Sequence, residues 1–115
     1  MAGDRCVPAT EVILYRDDDE ERTVPLIQWL EARSNRVQVK CRAYLKQLED
    51  FGHELRRPVA DYLRDGIYEL RPSYQGVQYR IRYFFPRPDK RKPGKPPKIV
   101  LVSHGLVKAG AVPGV

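Results

Sequence analysis

The chain is short of cysteine, histidine and long apolar runs. Only two of its 115 residues are cysteine and two are histidine. Cys6 and Cys41 have neither CxxC spacing nor a nearby histidine, which argues against a disulfide framework or a zinc site and predicts two free, inert thiols. No apolar stretch approaches the ~20 residues needed to span a bilayer, and no apolar h-region follows Met1-Ala2-Gly3-Asp4-Arg5-Cys6. These absences predict a cytoplasmic protein with no membrane partner. The acidic run Asp17-Asp18-Asp19-Glu20-Glu21 is a solvated helix approach rather than a metal site, because consecutive carboxylates point in different directions. The sequence calls for no metal and no cofactor.

With 42% hydrophobic and 31% charged residues, the chain is ordered by composition, and its length suits a single domain over residues 1–115 with a core of its own. The net charge is +6. It is unevenly placed: residues 1–35 carry an acidic excess, whereas 36–85 and the Pro-Lys-Arg segment 86–98 are basic. A localised basic patch of this kind points to a polyanion such as nucleic acid.

Val12-Ile13-Leu14-Tyr15 reads as a first strand, central in its sheet and buried on both faces. Thr23 is a fair N-cap for a helix over Val24 to Ala32, with Pro25 tolerated in the first turn. Ser34 or Asn35 caps a second helix reaching Asp50, whose stripe is Val37, Cys41, Tyr44, Leu45 and Leu48. Phe51 to Arg64 reads as irregular, with His53 a solvated or capping residue. Five prolines in 86–98 exclude helix and central strand there and predict a mobile basic loop. Ile99 to Ser103 is a buried strand ending at His104-Gly105, and the glycines and proline beyond it argue against a long terminal helix.

The informative stretch is Asp65 to Phe85, which reads as one β-hairpin turning at Pro72-Ser73-Tyr74-Gln75-Gly76. Alternation puts Tyr68, Leu70, Tyr79, Ile81 and Tyr83 on a core-facing side under the two helices. Glu69, Arg71, Gln78, Arg80 and Arg82 fall on the other side, with Arg71 and Arg80 expected to be exposed. The planar fork of arginine bonds two phosphate oxygens and stays charged, so Arg71 and Arg80 are the leading phosphate ligands. His104 can shuttle a proton near neutral pH. Tyr74, and Tyr79 if exposed, can stack a base, while Gln78, Arg82, Lys90, Arg91 and Lys92 add RNA contacts. Glu69 can orient Arg80. Simple pairing of the arginines with Glu69, and a hydrogen-bonded strand-end role for His104, are the plainer alternatives.

The order strand, two helices, three antiparallel strands, with Asp65-Gly66-Ile67-Tyr68-Glu69-Leu70-Arg71-Pro72, Tyr79-Arg80-Ile81 and Val102-Ser103-His104-Gly105-Leu106-Val107-Lys108, resembles the HigB/RelE-type toxins of bacterial type II toxin–antitoxin modules, in their phage-related branch. The resemblance implies an α+β RelE-like fold, two helices on one face of a small, mainly antiparallel sheet. It further implies a ribosome-dependent mRNA endonuclease that inhibits translation and is silenced by a cognate helix-turn-helix antitoxin. It places His104 and Lys108, with Arg71 and Arg80, on the active surface. Lys108 is followed by Ala109-Gly110-Ala111-Val112-Pro113, where that family usually has a second lysine and a terminal helix. A catalytically inactive relative that binds a partner protein or RNA is therefore the alternative.

Overall fold

The structure is a computed structural model and describes residues 10–86 and 98–108. It is an α+β protein with two helices on a six-stranded mixed sheet. The strands are β1 (Glu11–Leu14), β2 (Ala60–Arg64), β3 (Ile67–Leu70), β4 (Ser73–Tyr74), β5 (Val77–Phe84) and β6 (Ile99–Val107). Helices α1 (Pro25–Glu31) and α2 (Asn35–Phe51) lie between β1 and β2 in the chain. The sheet order is β1-β6-β5-β3-β2, with β4 pairing to β5. Among the described strands only the β1–β6 pair is parallel. Among the described residues no helix is long and apolar enough to cross a membrane.

Helix α2 starts where the sequence expects it, because the Ser34 hydroxyl accepts a hydrogen bond from the Val37 amide at 3.4 Å. Its stripe then buries Val37, Cys41 and Leu48, and the loss of water around Cys41 pushes that thiol up to about 11. Helix α1 is capped differently from the expectation. Val24 occupies its N-cap without a side-chain bond, while the Thr23 amide and hydroxyl both turn back to the Asp19 carboxylate, at 3.0 and 3.1 Å.

The two sides of the central strands behave as the alternation requires. Leu70, Tyr79, Ile81 and Tyr83 are buried with Val100 and Val102 of β6 and with Leu26 and Leu30 of α1, and Tyr68 is half-buried, stacked on Tyr83. Each fully buried apolar side chain contributes about 1.5–3 kcal/mol, so this helix-covered face holds the fold together. Trp29 closes it at one end, its ring edge-on to Tyr79 at 6.0 Å between centroids. The same ring lies against the backbone of Gly105, where a Cβ would collide with it. Gly105→Ala is accordingly expected to destabilise the protein by about 1–3 kcal/mol through overpacking, read as a lower thermal midpoint. An unchanged midpoint would contradict that packing.

Several expectations are corrected. β1 is an edge strand, not a central one, pairing with β6 alone, and Ile13 remains exposed. Four apolar letters fit an edge strand with one covered face as well as a buried one. The segment after α2 is not irregular throughout, since Ala60–Arg64 forms β2 and pairs with β3. The turn into β3 is Asp65-Gly66, with φ of 51° and 80°, the geometry of a two-residue hairpin with both central residues left-handed. The connection between β3 and β5 is also tighter than a five-residue turn. Ser73 and Tyr74 continue as β4, and the chain reverses over Gln75-Gly76, φ 51° and 81°. Finally, β6 runs past His104 to Val107, so that histidine is inside a strand and not at its end. The basic loop, with Lys90, Arg91 and Lys92, lies outside the described residues.

Candidate functional site

The sheet register places the sequence-derived site residues. Gly105 points toward Trp29 and the helices, so Leu106 points the other way, and Leu106 pairs with Arg80. One step along, the Lys108 amide donates to the Gln78 carbonyl at 2.9 Å, which sets Lys108 beside Gln78 on the same side. In the other direction the pairing shifts between Ile81 and Tyr83. Ile81 pairs with Gly105 and Tyr83 with Val102, so Ser103 and His104 together oppose Arg82. This bulge turns both of them onto the face away from the helices. Glu69 pairs with Arg82 from the other flank, and Arg71 continues β3 beyond Leu70. The fold therefore gathers Arg71, Arg80, Arg82, Gln78, His104 and Lys108 on one face of β3, β5 and β6.

The arginines are not equivalent on that face. Arg80, expected to be exposed, is only 3% exposed. Its side chain folds back along its own strand, Nη1 donating to the Tyr79 carbonyl at 2.8 Å and Nη2 to Gln78 Oε1 at 2.6 Å. Its Nε is buried with no hydrogen-bond partner among the described residues and lies 3.5 Å from Glu69 Oε2. Burial pushes the guanidinium below its ordinary range, the Arg71 charge adds to that, and Glu69 opposes it. Arg71 is half-buried and meets the same carboxylate oxygen at 3.2 Å. Glu69, itself buried, thus holds two arginines at once. Arg82 is half-buried, also with a buried Nε that has no partner among the described residues.

His104 and Lys108 are exposed. The Ser103 hydroxyl sits 2.8 Å from His104 Nδ1, leaving Nε2 as the ring nitrogen open to a substrate. Tyr79 is buried against Trp29 and is not exposed to stack a base, while Tyr74 is half-buried on β4 with part of its side chain packed against the core. Among the described residues no group of three or more His, Cys, Asp and Glu side chains is arranged to hold a metal ion.

The sequence reading passes over two contributors. Beside Arg80 the face dips into a depression of about 300 Å³ whose lining includes Tyr44 and Arg57 as well as Arg71, Ser73 and Gln78. Tyr44 belongs to the apolar stripe of α2 by its spacing and packs against the core, but α2 also touches β4, and there Tyr44 lines the depression as well. Nothing in the sequence spacing of Arg57 marks it, since it lies within a segment that reads as irregular.

The molecule so described is a small α+β protein with a core under its helices and a guanidinium-rich sheet face on the other side. A family model described as Phage derived protein Gp49-like matches residues 28–111. The chain belongs to this Gp49-like family, whose members are toxin-like proteins. Comparison with the curated proteins gives no match.

Proposed function

We propose that the protein is the toxin of a type II toxin–antitoxin module, a RelE-like, metal-independent endoribonuclease that cleaves mRNA on the ribosome and so arrests translation in the cytoplasm. The observation that carries this reading is the gathering of Arg71, Arg80, Arg82, His104 and Lys108 on one sheet face of a chain from a toxin-like family. Cleavage without a metal needs the 2′-oxygen to attack its own phosphorus. The 2′-hydroxyl gives up its proton, the new O2′–P bond forms, the P–O5′ bond breaks, and a proton goes to the leaving 5′-oxygen. His104 is the group on this face suited to carry a proton, and the arginines with Lys108 stabilise the charge that builds on the phosphorane. The partners are mRNA on the ribosome and a cognate helix-turn-helix antitoxin. Induced expression of the chain alone is expected to arrest bacterial growth, and co-expression of a small helix-turn-helix protein encoded beside it is expected to restore growth. Unimpaired growth on induction alone would overturn the toxin reading.

The burial of Arg80, with two of its nitrogens already bonded within the chain, favours a second reading. On that reading the face binds a partner protein or RNA without cutting it. It predicts a stable complex with the neighbouring gene product and no growth arrest.

A further inference from the structure

The depression beside Arg80 has an outer wall that does not come from the sheet. Tyr44 stands on α2 and Arg57 on the segment leading to β2, and with Arg71, Ser73, Gln78 and Arg80 they enclose about 300 Å³. That is at the small end of the ~300–1,000 Å³ usual for ligand sites, too small for an extended nucleotide with its base and suited to a compact group. Three guanidinium groups converge here, those of Arg57, Arg71 and Arg80. Two carboxylates answer them: Asp61 holds Arg57 at 2.6 Å and lies 4.0 Å from Arg71, while Glu69 holds Arg71 and Arg80. One positive charge is in excess. Like charges gathered at a partly desolvated site oppose one another unless an anion joins them. The deepest of the three, Arg80, has a buried Nε that faces Glu69 at 3.5 Å but makes no hydrogen bond among the described residues.

A single negative charge with several acceptor oxygens is what completes this set. Tyr44, Ser73 and Gln78 supply neutral donors around it. Arg57 is free to contribute, because its side chain is 71% exposed and its pair with Asp61 faces water, where such pairs hold weakly. The depression shares Arg80 and Gln78 with the face that carries His104 and Lys108 on the neighbouring strand β6. An anion here and an anion opposite His104 are separated by about two strand spacings, roughly 10 Å, so a flexible polyanion can occupy both.

We propose that this depression is a phosphodiester subsite for single-stranded RNA, with Arg57 and Tyr44 as binding residues that hold a backbone phosphate one or two nucleotides from the bond facing His104. This assignment rests on the reading of the face as an RNA-cleaving surface. It adds a contact from outside the sheet that fixes where the strand leaves the face, over β4 and toward α2.

The test is a salt series of fluorescence anisotropy titrations with a labelled oligoribonucleotide carrying 2′-O-methyl groups, which binds but cannot be cut. Removing one phosphate contact from a single strand reduces the slope of log K against log salt by about 0.7. Arg57→Ala is expected to show that reduction and a roughly tenfold weaker affinity, the loss of one charge-assisted contact. Arg57→Lys should keep the slope and recover part of the affinity. Tyr44→Phe should weaken binding with the slope unchanged. Arg36→Ala, which removes the same charge from the exposed first turn of α2, is the control and should leave both quantities as in the parent. If Arg57→Ala matches Arg36→Ala, or if the parent shows no salt-dependent binding, the subsite is wrong. The two proposals fail separately. A toxic parent with an unaltered slope in Arg57→Ala removes the subsite and keeps the toxin. A harmless parent whose slope falls by about 0.7 in Arg57→Ala keeps the subsite and removes the nuclease.

Discussion

Arg80→Lys is expected to lower the rate of RNA cleavage about 10²–10³-fold while the chain stays folded and still binds RNA. The expectation follows from how Arg80 is held. Its Nη1 and Nη2 are fixed by the Tyr79 carbonyl and the Gln78 side chain, which leaves the Nε edge toward Glu69 and Arg71. A lysine keeps the charge but is a single point with rotating donors, so it cannot hold Tyr79, Gln78 and Glu69 together through one rigid planar fork, and the positive charge beside Arg71 is no longer fixed in place. Long-range attraction for RNA depends on charge and survives; alignment of a phosphorane does not. Single-turnover cleavage with translating ribosomes, alongside thermal unfolding, separates the two effects. A rate within threefold of the parent, in a folded variant, would show that Arg80 has no part in the chemistry.

Glu69→Ala should produce the largest loss of stability of any single change on the basic face. One buried carboxylate lies 3.2 Å from Arg71 and 3.5 Å from Arg80, and Arg80 is 3% exposed. Without it Arg80 keeps no carboxylate among the described residues, and Arg71 keeps only Asp61 at 4.0 Å. Stripping the partner from a buried charge costs about 3–5 kcal/mol, a large share of the ~5–15 kcal/mol that holds a protein of this size together. Urea denaturation at neutral pH reads this as a lower midpoint. Added phosphate or sulfate should recover part of the loss, because an anion that binds only the folded form stabilises it. A loss below about 1 kcal/mol would place the arginines in water instead of against Glu69.

The elements with strong periodic signals were legible in the sequence. α2 followed from its stripe and from Ser34, and the two faces of β3 and β5 followed from strict alternation. Alternation states which side of a sheet a residue takes, however, and not how far its side chain stands out. Arg80 was placed on the correct side and with the wrong exposure, because its burial depends on Gln78, Glu69 and the wall from α2, which are tertiary neighbours. The bulge at Ser103-His104 carries no letter that announces it, and it alone turns both residues to the same face. β2 did have a signal, Asp65-Gly66 before a clear strand, but Pro58 and the exposed Tyr62 and Leu63 masked the strand before that turn. Tyr44 shows the converse case. Its spacing says core, and besides packing there it lines the depression beside Arg80.

The central claim is that this face cuts mRNA by attack of the RNA's own 2′-oxygen, and the nature of the new ends tests it most directly. That route leaves a 5′-hydroxyl on the downstream fragment, since the leaving 5′-oxygen takes up a proton and keeps no phosphate. Shortly after induction in growing bacteria, transcript 5′ ends would be mapped with and without kinase treatment, in the parent and in Arg80→Lys. New ends that appear within translated regions, that are captured only after kinase treatment, and that are missing from Arg80→Lys are the predicted result. No new ends in the parent, or ends carrying a 5′-monophosphate, would contradict the account.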